Sequence, residues 1–252
     1  MNDVKDKVVI VTGGTAGVGE EAVKQLAENG AKVVFCARGE VAGLQFETEL
    51  RKKGYDVTFV KADASVYEDN KNLVDVTLKR YGRIDSIVCN AGKAFKKAFH
   101  ELTCEEWDMA ISTNLSSSFY LVRLALPTML EQKSGSVVFI SSGMVNCPLV
   151  EMSHYIASKA MLESLARCLS LDYCRYGIRF NTLCPGPIWT SAYDKIPKEA
   201  IDEILQTTPT GMMCKVEDVI KSLLFLVSDD SKIVYGAKIT PDLAYACGVR
   251  FD

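Results

Sequence analysis

The chain has 252 residues, 48% of them hydrophobic and 24% charged, which is enough apolar material for one globular core of ordinary size. A formal net charge of -3 leaves no basic footprint for nucleic acid, the longest lysine cluster being the short "KAFKKAF". No uncharged apolar run reaches about 18 residues and no basic-then-apolar leader opens the chain, so neither nucleic acid nor a membrane is an expected partner, and a cytoplasmic setting is.

Strand and helix signals alternate from the start. Residues 7–14, "KVVIVTGG", form a β-branched run closed by glycines, the mark of a strand buried on both faces. Residues 17–30 follow with helical periodicity and end in Gly30, suited to the position just past a helix cap. The next pairs are strand 31–38 with helix 40–54, and strand 56–63 with helix 65–82, followed by a fourth strand at 85–92. Two helical stretches, roughly 104–114 and 116–132, precede a fifth strand at 135–143. A long helix at 154–177, a sixth strand at 178–187, a helix at 215–229 and a short last strand near 237–240 complete the series. This order predicts an α/β fold: one domain, residues 1–252, with a doubly wound parallel sheet and helices on both faces, the Rossmann arrangement. Nine cysteines occur without a C-x-x-C pair, and Cys36, Cys89, Cys168 and Cys184 sit in apolar runs where buried thiols are expected. Only His100 and His154 could join them as soft ligands, in no clustered spacing, so no metal is expected.

The first turn carries chemistry. "TGGTAGVG" lies between strand and helix, where glycines let a backbone approach a pyrophosphate and the helix start offers free N–H groups. A P-loop is excluded because Glu20 stands where its lysine belongs, and the G-x-S-x-G elbow of hydrolases is absent from the chain. Gly17, Gly19 and Ala22 make a loose G-x-G-x-x-A. Further on, "SHYIASKAM" places Tyr155 and Lys159 four apart, on one face of a helix. An ammonium there favours the phenolate, bringing a pKa of about 10 toward the working range of a general acid or base. An exposed helical contact worth roughly 0.2–0.5 kcal/mol has the same spacing.

Taken together these stretches resemble the short-chain dehydrogenase/reductase family over nearly the whole length. Thr12, Gly13, Gly17 and Gly19 match its T-G-x-x-x-G-x-G turn, and Asn90, Ala91 and Gly92 its N-A-G element, with Cys89 in place of a common asparagine. Asn114 matches the helix asparagine, Ser142 the serine thirteen residues before the tyrosine, Tyr155 and Lys159 the Y-x-x-x-K motif, and Pro185 and Gly186 the P-G turn. The resemblance implies that Asn114, Ser142, Tyr155 and Lys159 are catalytic. Tyr155 would pass a proton to or from the substrate oxygen, Ser142 would hold that oxygen, Lys159 would lower the phenol pKa and bind the nicotinamide ribose, and Asn114 would orient a relay water. Read from the residues alone, Ser142 can equally be a turn or cap serine and Asn114 a bridge between backbone groups.

The implied cofactor site comprises Gly13, Thr15, Gly17, Val18, Gly19, Arg38, Asp63, Asn90, Ala91, Gly92, Tyr155, Lys159, Pro185, Gly186, Ile188 and Thr190. After the second strand stand Ala37 and Arg38 rather than an acid; that favours NADP(H), with NAD(H) also admitted, although Ala16 lacks the basic character of many NADP-dependent relatives. The family layout puts a lid at about 187–213 and pocket walls at Met144, Leu149, Val150, Trp189, Tyr193, Met212 and Met213, with Lys93, Lys96 and Lys97 at the rim. That favours a ketone or secondary alcohol on a hydrophobic small molecule such as a steroid or bile acid. A 3-oxoacyl-thioester reductase and a non-catalytic dinucleotide sensor are the alternatives. A homodimer or homotetramer is implied too, though "PDLA" at 241–244 replaces the usual V-D-G-G-like end of the last strand.

Overall fold

The computed structural model describes residues 3–190, 197–206 and 208–248. The predicted alternation is present: β1 (Val8–Thr12), α1 (Gly17–Glu28), β2 (Lys32–Ala37), α2 (Glu40–Lys52), β3 (Val57–Lys61), α3 (Tyr67–Tyr81) and β4 (Ser86–Cys89). Then come α4 (Cys104–Ile111), α5 (Ser117–Gln132), β5 (Gly135–Ile140), α6 (Ser153–Tyr173) and β6 (Ile178–Leu183). The short β7 (Ile188–Trp189) and β8 (Cys214–Lys215) pair with each other; α7 (Lys198–Gln206) lies between them in the chain, and α8 (Val216–Val227) and β9 (Lys238–Ile239) follow.

Seven strands form one sheet in the order β3-β2-β1-β4-β5-β6-β9, every pairing parallel. The β-branched run of β1 is buried along its whole length because helices cover both faces. Alternate side chains feed opposite cores: Val9 and Val11, with Phe35 and Val138, pack beneath α1 and α8, while Ile10, Val34, Val137 and Phe139 pack against α3, α5 and α6. The order reverses between β1 and β4, which opens a crevice above their carboxyl ends.

Local chemistry sets the boundaries. Gly30 takes φ +85° just after the end of α1, as its place in the sequence predicts. Thr103 and Glu106 close a reciprocal capping box at the start of α4. The two helical stretches expected around residue 115 are one continuous path joined by a π turn, Ser112–Ser116, a feature that periodicity does not signal. Cys168, expected inside, is exposed on α6, whereas Cys36, Cys89 and Cys184 are buried, with thiols that burial pushes up to about 12. The helical period leaves a cysteine in a long amphipathic helix free to fall on either face.

The chain after β9 turns back over the sheet end. Asp242 is buried, and its carboxylate accepts the backbone N–H groups of Ala244 at 3.0 Å and Ala246 at 2.9 Å. To make this turn Leu243 and Ala244 adopt φ +53° and +67°, where a side chain is strained by roughly 1–2 kcal/mol. Replacing either residue by glycine should therefore raise stability by up to about 1 kcal/mol, read as a higher urea midpoint at unchanged slope.

Candidate active site

The crevice is built where β1 and β4 meet. Thr12 Oγ1 accepts the backbone N–H of Asn90 at 3.1 Å and of Ala91 at 3.0 Å, and Asn90 Nδ2 donates back to the carbonyls of Thr12 at 3.0 Å and Gly13 at 3.2 Å. Gly13 and Gly17 hold φ +66° and +54°. At Gly19 a Cβ would run into the Gly13 carbonyl and the Asn90 amide, so only glycine lets the start of α1 sit this close to the turn.

A cavity of about 930 Å³ opens over this junction, at the upper end of the roughly 300–1,000 Å³ usual for ligand sites. The first turn supplies Gly13, Thr15 and Val18; the ends of β2 and β3 supply Arg38 and Asp63; the loop after β4 supplies Asn90, Ala91 and Gly92. Ser142, Tyr155 and Lys159 face it from the far side, and Pro185, Gly186, Ile188 and Thr190 close it from the segment after β6. Gly17, Gly19 and Asn114 support this wall without lining it. A glycine cradle at a helix start, joined to an elongated cavity, suits a dinucleotide.

Tyr155 and Lys159 stand one turn apart on α6, with the Lys159 ammonium 5.8 Å from the centre of the Tyr155 ring. Lys159 is 3% exposed and donates to the Ile140 carbonyl at 2.7 Å. Burial drives its pKa down from 10.5 to about 8, against a smaller upward pull from Cys89 and Cys184. A methyl group built on Gly92 would lie 3.1 Å from the Lys159 ammonium and 3.3 Å from Asn114 Oδ1, so the missing side chain lets the two groups converge.

Asn114 is fully buried in the π turn. Its Oδ1 accepts Lys93 N–H at 2.7 Å, and its Nδ2 donates to the Lys93 carbonyl at 3.1 Å and to Ser158 Oγ at 3.0 Å. The side chain therefore ties the loop after β4 to α6. Ser142 both caps and faces: its Oγ accepts Met144 N–H at 3.2 Å, which uses a lone pair and leaves the hydroxyl hydrogen to donate into the cavity.

At the opposite end Asp63 Oδ1 accepts both the backbone N–H of Ser65 at 2.9 Å and its hydroxyl at 2.7 Å. Burial raises this carboxyl, but the Ser65 hydrogen bonds and the Arg38 charge outweigh it and hold the pKa below its ordinary value. Arg38 lies just past β2 with no acidic neighbour in the 36–39 stretch.

The substrate end differs from the sequence expectation. Met144 and Lys93 line the cavity, while Leu149, Val150, Trp189, Met212, Met213, Lys96 and Lys97 stand away from it; Trp189 and Met212 are exposed, and Lys97 pairs with Glu106 at 2.8 Å. Tyr193 lies outside the described residues. The family layout assigns these loops to the wall, but a layout of loops does not say which face each loop side chain takes. Tyr245 was not anticipated. It is 2% exposed and lines the cavity beside Met144, against the turn at Gly143, delivered by the Asp242-capped tail. Ser158, which lies three residues from Tyr155 on one helix face, also escaped the sequence reading although that spacing could have pointed to it; Met109, Ser112 and Thr113 line the cavity with no spacing signal to mark them.

A family model described as short chain dehydrogenase matches residues 7–201. Bovine (Bos taurus) L-fucose dehydrogenase is 34% identical over 230 residues, covering 88% of this chain and 83% of that protein. A 2,5-dichloro-2,5-cyclohexadiene-1,4-diol dehydrogenase from Sphingobium indicum is 27% identical over 248 residues, 98% and 99% of the two chains. Among solved structures, levodione reductase superposes with a TM-score of 0.90 at 28% identity, over 96% of this chain and 98% of that one. The fold and the match over most of the chain define a dinucleotide-dependent oxidoreductase, and the chain belongs to the short-chain dehydrogenase/reductase family. It is an NAD(P)-dependent enzyme acting on CH–OH or C=O groups.

The buried Lys159 has a measurable consequence. Between its folded pKa of about 8 and its ordinary 10.5 the unfolded chain holds the extra proton, so the penalty for burying this charge is complete below about pH 8 and fades as pH rises toward 10.5. In the cofactor-free protein, the unfolding free energy of wild type minus that of Lys159→Met should rise by up to about 3 kcal/mol from neutral pH to above pH 10, measured by urea denaturation.

Proposed function

We propose that this enzyme is an NADP(H)-preferring oxidoreductase that interconverts a ketone and a secondary alcohol on a hydrophobic small molecule, with a steroid or bile acid as the model substrate class. The observation that carries the reading is the convergence of Ser142, Tyr155 and Lys159 on the cavity that contains the glycine turn. The whole chain, residues 1–252, acts as one dinucleotide-binding domain with a lid at about 187–213.

The dinucleotide, when bound, supplies or takes up hydride. Gly13, Thr15, Val18, Asn90, Ala91 and Gly92 hold its phosphates and riboses from below, supported by Gly17 and Gly19. Pro185, Gly186, Ile188 and Thr190 hold the nicotinamide end, and Asp63 receives the adenine amine. Arg38 pairs with a 2′-phosphate by charge-assisted hydrogen bonds, and the end of β2 itself carries no acid, Ala37 and Gly39 flanking the arginine. Tyr155 moves the proton at the substrate oxygen, and Ser142 donates a hydrogen bond to the same oxygen as negative charge develops there. Lys159 favours the phenolate and binds the nicotinamide ribose. Asn114, next to Lys159, orients the water that reconnects the site to solvent. Met144 and the Tyr245 ring give the substrate end its apolar, flat walls.

Lys93 on the cavity wall favours a second reading, a 3-oxoacyl-thioester reductase in which this ammonium meets a carrier phosphate. A sensor role is disfavoured by the retention of all four catalytic groups. Exposed Phe119 on α5 and exposed Met161 and Leu171 on α6 suit a homodimer or homotetramer contact in the cytoplasm.

Titration with NADPH and NADH by nicotinamide fluorescence, followed by turnover against steroid, sugar and acyl-thioester ketones, tests the reading. Tyr155→Phe should lower turnover by about 10²–10⁴-fold while cofactor binding stays intact; undiminished turnover would sink the mechanism. Arg38→Ala should weaken NADPH binding by about ten- to hundred-fold and leave NADH nearly unchanged, and equal loss for both cofactors would remove the case for a 2′-phosphate site.

A further inference from the structure

Behind the active-site turn lies a polar cluster that the proposed chemistry does not use. Glu163, one helical turn beyond Lys159 on α6, is 7% exposed, and its carboxylate gathers donors from three other segments. Ser141 Oγ donates to Oε1 at 2.9 Å, Cys184 Sγ to Oε1 at 3.5 Å, and Lys238 Nζ to Oε2 at 2.8 Å. Lys238, on β9, donates in addition to Asn146 Oδ1 at 2.8 Å. Each partner is next to something the cavity needs. Ser141 precedes Ser142, Cys184 precedes Pro185 and Gly186, Asn146 closes the turn that carries Met144, and β9 leads into the tail that delivers Tyr245.

Just past β5 the backbone stays extended, Ser142 having φ -154° and ψ 145°, so successive side chains point to opposite sides and a Ser141 hydroxyl held toward α6 commits Ser142 to the cavity. The same ion pair holds the far end of the turn through Asn146. With Glu163 buried and Lys238 half-buried, such an ion pair adds little net stability compared with an apolar replacement, but its further hydrogen bonds to Ser141, Cys184 and Asn146 hold the surrounding chain in one arrangement.

We propose that Glu163 and Lys238 are positioning residues: their ion pair clamps both ends of the 142–146 turn and so fixes the Ser142 hydroxyl and the Met144 wall relative to Tyr155. This rests on the reading of Ser142 and Tyr155 given above. Glu163→Gln keeps the shape and removes the charge, Lys238→Met removes the ammonium, and Lys238→Arg restores it. With a substrate that the wild type turns over, kcat/KM should fall by about ten- to hundred-fold in E163Q and K238M, the cofactor dissociation constant should not change, and K238R should stay near wild type. Because the two residues act as one unit, the double variant should be no slower than either single variant. Wild-type rates in E163Q, additive losses in the double variant, or a parallel loss of cofactor affinity would each overturn the proposal. Amide hydrogen exchange followed by mass spectrometry needs no substrate. Faster exchange in E163Q confined to 142–147 and 237–248 supports the clamp, and unchanged exchange there overturns it. That arm stands even where no ketone is turned over and the functional reading itself has failed.

Discussion

The reciprocal lock between Thr12 and Asn90 is the constraint on which the rest depends. Parallel strands cannot be joined by a tight turn, so β1 and β4 leave the sheet on separate paths and a crevice opens between them. Four hydrogen bonds between the Thr12–Gly13 backbone and side chain and the Asn90–Ala91 segment then set how wide it opens. Gly19 tightens the same junction, because its bare Cα permits the start of α1 to press on the Gly13 carbonyl. The helix N-terminus and the loop after β4 thereby face one cavity from two sides.

Against that fixed floor, the catalytic side pairs buried charge with close packing. Lys159 is carried into the protein by α6 and held by a single backbone carbonyl, a placement that destabilises its charged form by desolvation. The penalty is tolerable because the sheet and the α5–α6 layer bury a large apolar area. Asn114 illustrates the same economy. Its Nδ2 and one lone pair of its Oδ1 join Lys93 to Ser158, a second lone pair is left over, and the π turn presents the side chain to both segments.

The C-terminal tail shows how a strained turn is held in place. Leu243 and Ala244 take left-handed backbone angles, and Asp242 compensates by capping the turn with both carboxylate oxygens. The result is a Tyr245 ring packed on the active-site turn of its own chain. The tail thus becomes part of the cavity wall.

The sequence by itself determined the alternation of strands and helices, because a β-branched run closed by glycine and an amphipathic run closed by glycine are local signals. It also placed the glycine turn, Asn90, Ser142, Tyr155 and Lys159 at fixed spacings, which is why nearly every residue expected to face a dinucleotide does line one cavity. What it could not decide was anything set by contact between distant segments. The strand order, the π turn at Asn114, the exposure of Cys168, the Glu163–Lys238 pair across 75 positions and the entry of Tyr245 into the site all belong to that class. The lining of the cavity belongs there too: side chains in loops have no period, and only packing in three dimensions puts Met144 and Tyr245 on it while Val150, Trp189 and Met212 are exposed.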